Sequence, residues 1–179
     1  MAWQQFQVIR VWKCLFSIME EEVKMAHCSI QLPDGFCDQI SADMHVHLYE
    51  IPGDSPVNVI KRDQSYRVVV HIELSAQLKR LLCGQWCVSV MAEGAGTAGE
   101  RKDVKRVRMN NCSDAMDEVV FNLDGSWFTP GSDNTGPVAE GGCGDVFNLT
   151  VTAIALDGCE GEPIGIAGFC TLGPVMVYG

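Results

Sequence analysis

Ser65–Leu74 alternates more cleanly than any other stretch of the chain. Tyr66, Val68, Val70, Ile72 and Leu74 fall on one side, and Arg67, Val69, His71 and Glu73 on the other. A period of two marks a strand with one buried face. Gln85–Met91 repeats it with Trp86, Val88 and Val90, Glu118–Leu123 with Val119, Phe121 and Leu123, and Val146–Leu156 with Phe147, Leu149, Val151, Ala153 and Ala155. Shorter strands are predicted at His27–Leu32, Met44–Ile51, Val104–Met109, Pro163–Phe169 and Pro174–Tyr178. Pro33-Asp34-Gly35 and Pro52-Gly53-Asp54 supply turns between them. Many short strands at close spacing predict an all-β domain, and an antiparallel β-sandwich is the solution that buries one face of each. The expected core is Tyr66, Val68, Val70, Ile72, Trp86, Val88, Val90, Phe121, Leu149 and Val151.

A Trp in the strand that follows the clearest early strand, with a corner at Gly84 leading into it, resembles the immunoglobulin-like sandwich. The resemblance is one of architecture alone, because the Cys pair that flanks such a Trp in antibody domains is absent.

Residues 1–24 read differently. Val8, Ile9, Val11, Trp12, Leu15, Phe16 and Met19 follow helical spacing, so a short amphipathic helix or flexible arm is expected there, with the β-domain running from 25 to 179. Arg10 and Lys13 interrupt the apolar stretch and Glu20, Glu21 and Glu22 follow it, which is not the layout of a secretory signal. No apolar run is long enough to predict a membrane-spanning helix.

Charge divides the 179 residues into thirds. Residues 1–59 carry a net -5, residues 60–110 a net +5, and residues 111–179 ten acids with no Lys or Arg, for a total of -10. Such a balance argues against nucleic acid as the main partner. The one basic run, Arg101 to Arg108, reads as protection of a sheet edge.

Nine cysteines without a CxxC spacing or a signal peptide argue for free thiols and a cytoplasmic location rather than a secreted disulfide scaffold. In antiparallel order the loops 75–84, 110–117 and 157–163 share one end of the domain. That end would gather Cys83, Cys112 and Cys159, a set that suits Zn²⁺, with Asp157, Glu160 and Glu162, which suit Ca²⁺. The opposite end carries the long loop 124–145, whose Trp127 and Phe128 are candidate anchors for a protein partner, or else caps on the core. His45-Val46-His47 points two imidazoles to one face of a strand. A metal site from His45, His47 and His71 requires their two strands to be neighbours. No phosphate-binding loop, nucleophile elbow or marked catalytic cysteine occurs. The reading is therefore a non-enzymatic β-domain that binds a protein partner or assembles with itself. A metal-binding or redox-responsive module is the alternative, and an enzyme comes last.

Overall fold

The computed structural model describes residues 26–33, 40–53, 56–61, 64–94, 100–110, 116–128 and 145–178. The proposed N-terminal helix or arm lies outside them. Nine strands form: β1 (Ala26–Gln31), β2 (Ala42–Ile51), β3 (Val59–Lys61), β4 (Ser65–Leu74), β5 (Gly84–Gly94), β6 (Glu100–Arg108), β7 (Asp117–Leu123), β8 (Asp145–Asp157) and β9 (Pro163–Tyr178). A single-turn helix, α1 (Ala76–Leu81), joins β4 to β5, and a 3₁₀ turn (Gly125–Phe128) follows β7.

All nine belong to one sheet in the order β6-β5-β8-β9-β1-β2-β4-β7, with β3 parallel to β9 and every other pairing antiparallel. The sheet is nearly closed into a barrel. The pairing thus runs continuously where the sequence led us to expect two separate sheets. The physical reason is β1, which divides its pairing: Ala26–Ser29 face β2, and Ile30 and Gln31 face β9. Two walls result, one of β2, β4 and β7 and one of β5, β8 and β9, with β1 as their joint.

All ten expected core residues are buried, and the alternation explains why. Every second residue of each long strand points inward, where apolar side chains from both walls meet. Three features were not anticipated. The sequences of β3 and α1 are too short to show a period, and the two C-terminal strand candidates form one strand, β9.

Each end of the barrel is held by an aromatic residue with a polar handle. At one end Trp86 Nε1 donates to Asp117 Oδ2 at 2.9 Å, and the Asn110 amide donates to Asp117 Oδ1 at 2.9 Å. Asp117 is buried, so it joins β5 and the β6–β7 connection to β7 at no exposed site. At the other end Tyr66 packs edge-on against Phe128, and Phe128 against Phe147, with ring centres 5.9 and 5.6 Å apart. The Tyr66 hydroxyl donates to the Lys61 carbonyl and accepts from the Lys61 amide, fixing β3. Gly84 makes the corner into β5. A Cβ there would run into the Leu156 carbonyl, so the close approach of β5 and β8 excludes any side chain.

The barrel has one open seam, between the edges of β6 and β7. Lys105 spans it: Nζ donates to the Val120 carbonyl and lies 5.2 Å from the centre of the Phe121 ring. An inward-facing lysine at an edge blocks pairing with another chain while it covers the gap. The basic run therefore does lie on an edge strand, as its charges led us to expect.

Candidate functional site

The end that carries Cys83 and Cys159 assembles much as the alternation of loops implies. Gly84 pairs with Asp157, Gln85 with Arg108, and Ile72 with Asp117, which brings the connections after β4, β6 and β8 to one end. A Cβ on Gly158 would lie 3.1 Å from the Cys83 carbonyl, so two of the three loops touch. Cys112 lies outside the described residues. Asp157 serves its own loop. Its Oδ1 accepts the amides of Glu160 at 2.9 Å and Glu162 at 3.1 Å, and that of Gly161, which holds φ +75°. Desolvation opposes ionisation of Asp157, but these amides and that of Cys159 outweigh it and hold the carboxyl below its ordinary value. Asp157 is thus engaged as a turn cap. Glu160 and Glu162 are exposed, as are Cys83 and Cys159, which are free thiols.

One cysteine pairing was not anticipated. Cys28 of β1 and Cys170 of β9 form a disulfide with Cα atoms 5.5 Å apart, within the usual span of such bonds. Cys170 is a buried strand residue, as a small hydrophobe would be, but it is not a free thiol. The register explains the pair: Ile30 faces Gly168, so Cys28 falls opposite Cys170.

The partner-anchor expectation for Trp127 and Phe128 is corrected at Phe128. Its ring is completely buried between Tyr66 and Phe147 and cannot meet a partner. Trp127 is half-buried and packs on the same core.

The histidines give the most organised polar group of the molecule. β2 and β4 are neighbours, and His45 stands directly opposite His71. The row continues in both directions: His27 of β1 registers with His45, and Glu118 of β7 with His71. His71 Nδ1 lies 3.8 Å from Glu118 Oε2. The His47 ring meets the His71 ring edge-on, centres 5.9 Å apart, and stacks on Tyr49 at 5.7 Å. His47 Nδ1 is buried without a hydrogen-bond partner. Burial first, then the neighbouring His71 and His45, push the His47 pKa down, so its imidazole is neutral at pH 7. β2 is an inner strand of the sheet, so these side chains do not belong to an edge. Among the described residues no three His, Cys, Asp or Glu side chains already converge as a metal site.

The outer face of the other wall has an opposite character. Val104, Ser89, Thr152 and Phe169 form one cross-strand row, and Arg106, Cys87, Ile154 and Ala167 the next. Ser89 and Thr152 share a hydrogen bond of 2.6 Å between their hydroxyls. The outward positions Cys87, Ser89, Met91, Thr150, Thr152, Ile154, Ala167, Phe169 and Thr171 carry no charge, and Glu93 at the end of β5 is exposed beyond them. Phe169 is 63% exposed.

No family model, curated protein or solved structure matches the chain. Any functional reading therefore rests on these two outer faces.

Proposed function

We propose that the protein is a non-enzymatic binding module that assembles with a second copy of itself through the outer face of β5, β8 and β9. The observation that carries this reading is Phe169, a large aromatic ring left open on β9 in a row without charge across β5, β8 and β9, in a chain of net charge -10. An acidic protein keeps itself apart by charge over most of its surface, and a neutral patch is where that repulsion is weakest. Aromatic residues are the usual anchors of such contacts. The patch is bordered by Lys102, Arg106 and Arg108 of β6, which suits a partner with acids around its contact surface. Glu93 and Glu100, in register at one end of the same face, supply acids of that kind in a second copy.

Sedimentation equilibrium tests the reading. The chain is expected to form a dimer whose dissociation constant rises at least tenfold in Phe169→Asp, with the melting temperature little changed because the ring is exposed. A monomer at every concentration, or a dimer indifferent to Phe169→Asp, overturns self-assembly through this face.

A further inference from the structure

We propose that His45, His47 and His71 bind a divalent transition-metal ion such as Zn²⁺ on the outer face of β2 and β4, with Glu118 as a positioning residue for His71. The His-x-His spacing on β2 places two imidazoles on one face, and the β2–β4 register sets a third directly opposite the first. The three therefore occupy the corners of a small triangle. Two imidazoles on one tetrahedral Zn²⁺, with nitrogens about 2.0–2.1 Å from the metal, have ring centres about 5 Å apart. His47 and His71 stand at 5.9 Å, so a small side-chain rotation brings them to a common ion. His45 stands directly opposite His71 in the register and completes the set.

Three further observations point to a cation. First, His47 Nδ1 has no hydrogen-bond partner although it is buried, and an ion lodged between the two rings would give it one. Second, carboxylates flank the histidines on the side away from Arg67, which stacks on Tyr49. Asp43 stands opposite Glu73 one row from the histidines, and Glu118 closes the histidine row itself. Third, the Glu118 carboxylate stands 3.8 Å from His71 Nδ1, where a slight approach would let it accept that N–H and fix the ring, as outer carboxylates do for metal-binding imidazoles. Imidazole donors select Zn²⁺, Cu²⁺ and Ni²⁺ over the hard cations Ca²⁺ and Mg²⁺, which require oxygen ligands. Cys83 and Cys159 lie at the end of the barrel and Cys87 on the opposite wall, so the described free thiols stand apart from this site.

Calorimetric titration of the full-length protein with Zn²⁺ at neutral pH tests the assignment. One equivalent is expected to bind to the wild type, to be lost in the triple variant His45→Gln/His47→Gln/His71→Gln, and to persist in Cys83→Ser/Cys159→Ser. Glu118→Gln should weaken binding about tenfold without changing the ligand set. Co²⁺ in place of Zn²⁺ should show ligand-field bands without the intense near-ultraviolet bands of thiolate ligation. Because variants can misfold, the wild type is also treated with diethyl pyrocarbonate, and Zn²⁺ should protect three histidines from modification. Identical Zn²⁺ binding by the wild type and the folded triple variant overturns the proposal, as does thiolate-type Co²⁺ absorption or modification unaffected by Zn²⁺.

Discussion

The two walls of the barrel share one interior and differ almost completely outside. Inward, β2, β4 and β7 contribute Met44, Val46, Val68, Val70, Val119 and Phe121, and β5, β8 and β9 contribute Trp86, Val88, Val90, Leu149, Val151 and Val175. Either list could serve in the other wall without loss of apolar character. Outward, the first wall shows Asp43, His45, His47, Arg67, His71, Glu73 and Glu118, while the second shows Ser89, Thr152, Ile154, Ala167 and Phe169. The contrast teaches that inward positions of an alternating strand record only the need for a core. Whatever is particular to this protein lies on the outward positions. There one wall carries histidines and charged residues and the other is largely neutral.

With one interior between them, the two walls are expected to stand or fall together. Trp86→Ala offers the severest test, because Trp86 belongs to one wall and donates its indole N–H to Asp117 of the other. Truncating this buried ring should cost about 3–5 kcal/mol, read as a lower urea midpoint with the slope unchanged. Two separate transitions in the variant would show that the walls unfold independently and that the shared core does not couple them. Asp117→Asn keeps the shape and one acceptor and should cost less than Asp117→Ala, which leaves the buried Trp86 donor without a partner.

The disulfide sharpens the same question at the joint. Cys28–Cys170 closes a loop of 142 residues beside the strand that both walls share. Replacing both cysteines by Ser should lower stability by about 2–4 kcal/mol, measured by denaturation against the oxidised wild type. An unchanged midpoint would mean that backbone pairing alone holds β1 between β2 and β9. The pair also weakens the argument from free thiols to a reducing compartment, since such bonds persist where the surroundings oxidise.

Much of this was legible in the sequence, and the limit has a physical form. Strands with a period of two announced themselves, as Ser65–Leu74 did to the residue, and so did the burial of Trp86. The order of loops around the ends followed from antiparallel succession. Pairing between distant strands did not, because alternation states which face is buried but not which strand lies alongside. Cys28 with Cys170, and His71 with Glu118, depend on neighbours 142 and 47 residues apart in the chain. His45-Val46-His47 was visible as a pair, but whether His71 joined it depended on the β2–β4 pairing. Whether Phe128 anchored a partner or capped the core was open for the same reason: a loop aromatic looks alike in sequence whether it faces solvent or, as here, Tyr66 and Phe147.

A smaller effect is expected at the seam. Lys105→Ala removes the donor to the Val120 carbonyl and uncovers the Phe121 ring, for a cost of about 1–2 kcal/mol. Lys105→Met retains the covering stem and should recover part of it. If Lys105→Ala also promotes association that Phe169→Asp does not reverse, the exposed β6 and β7 edges, rather than the neutral wall, are where copies meet.

The smallest effect concerns neither wall but the turn that ends β8, and it separates local from shared stability. Asp157 Oδ1 accepts the amides of Glu160, Gly161 and Glu162, and its folded carboxyl titrates below the ordinary 3.8 because those amides outweigh desolvation. A carboxyl with a depressed folded value contributes stability that is fully present above the ordinary value and is lost as pH falls through the folded one. The acid limb of the melting curve should therefore steepen below about pH 4 in the wild type. In Asp157→Asn that contribution should be absent, leaving a lower plateau near neutrality and a flatter acid limb. Amide exchange at Glu160 and Glu162 should quicken in this variant while amides of β2 and β4 stay protected, because the turn opens without the core. If β2 and β4 lose protection together with the turn, the Asp157 cap supports the whole barrel, and the turn is no longer a local element.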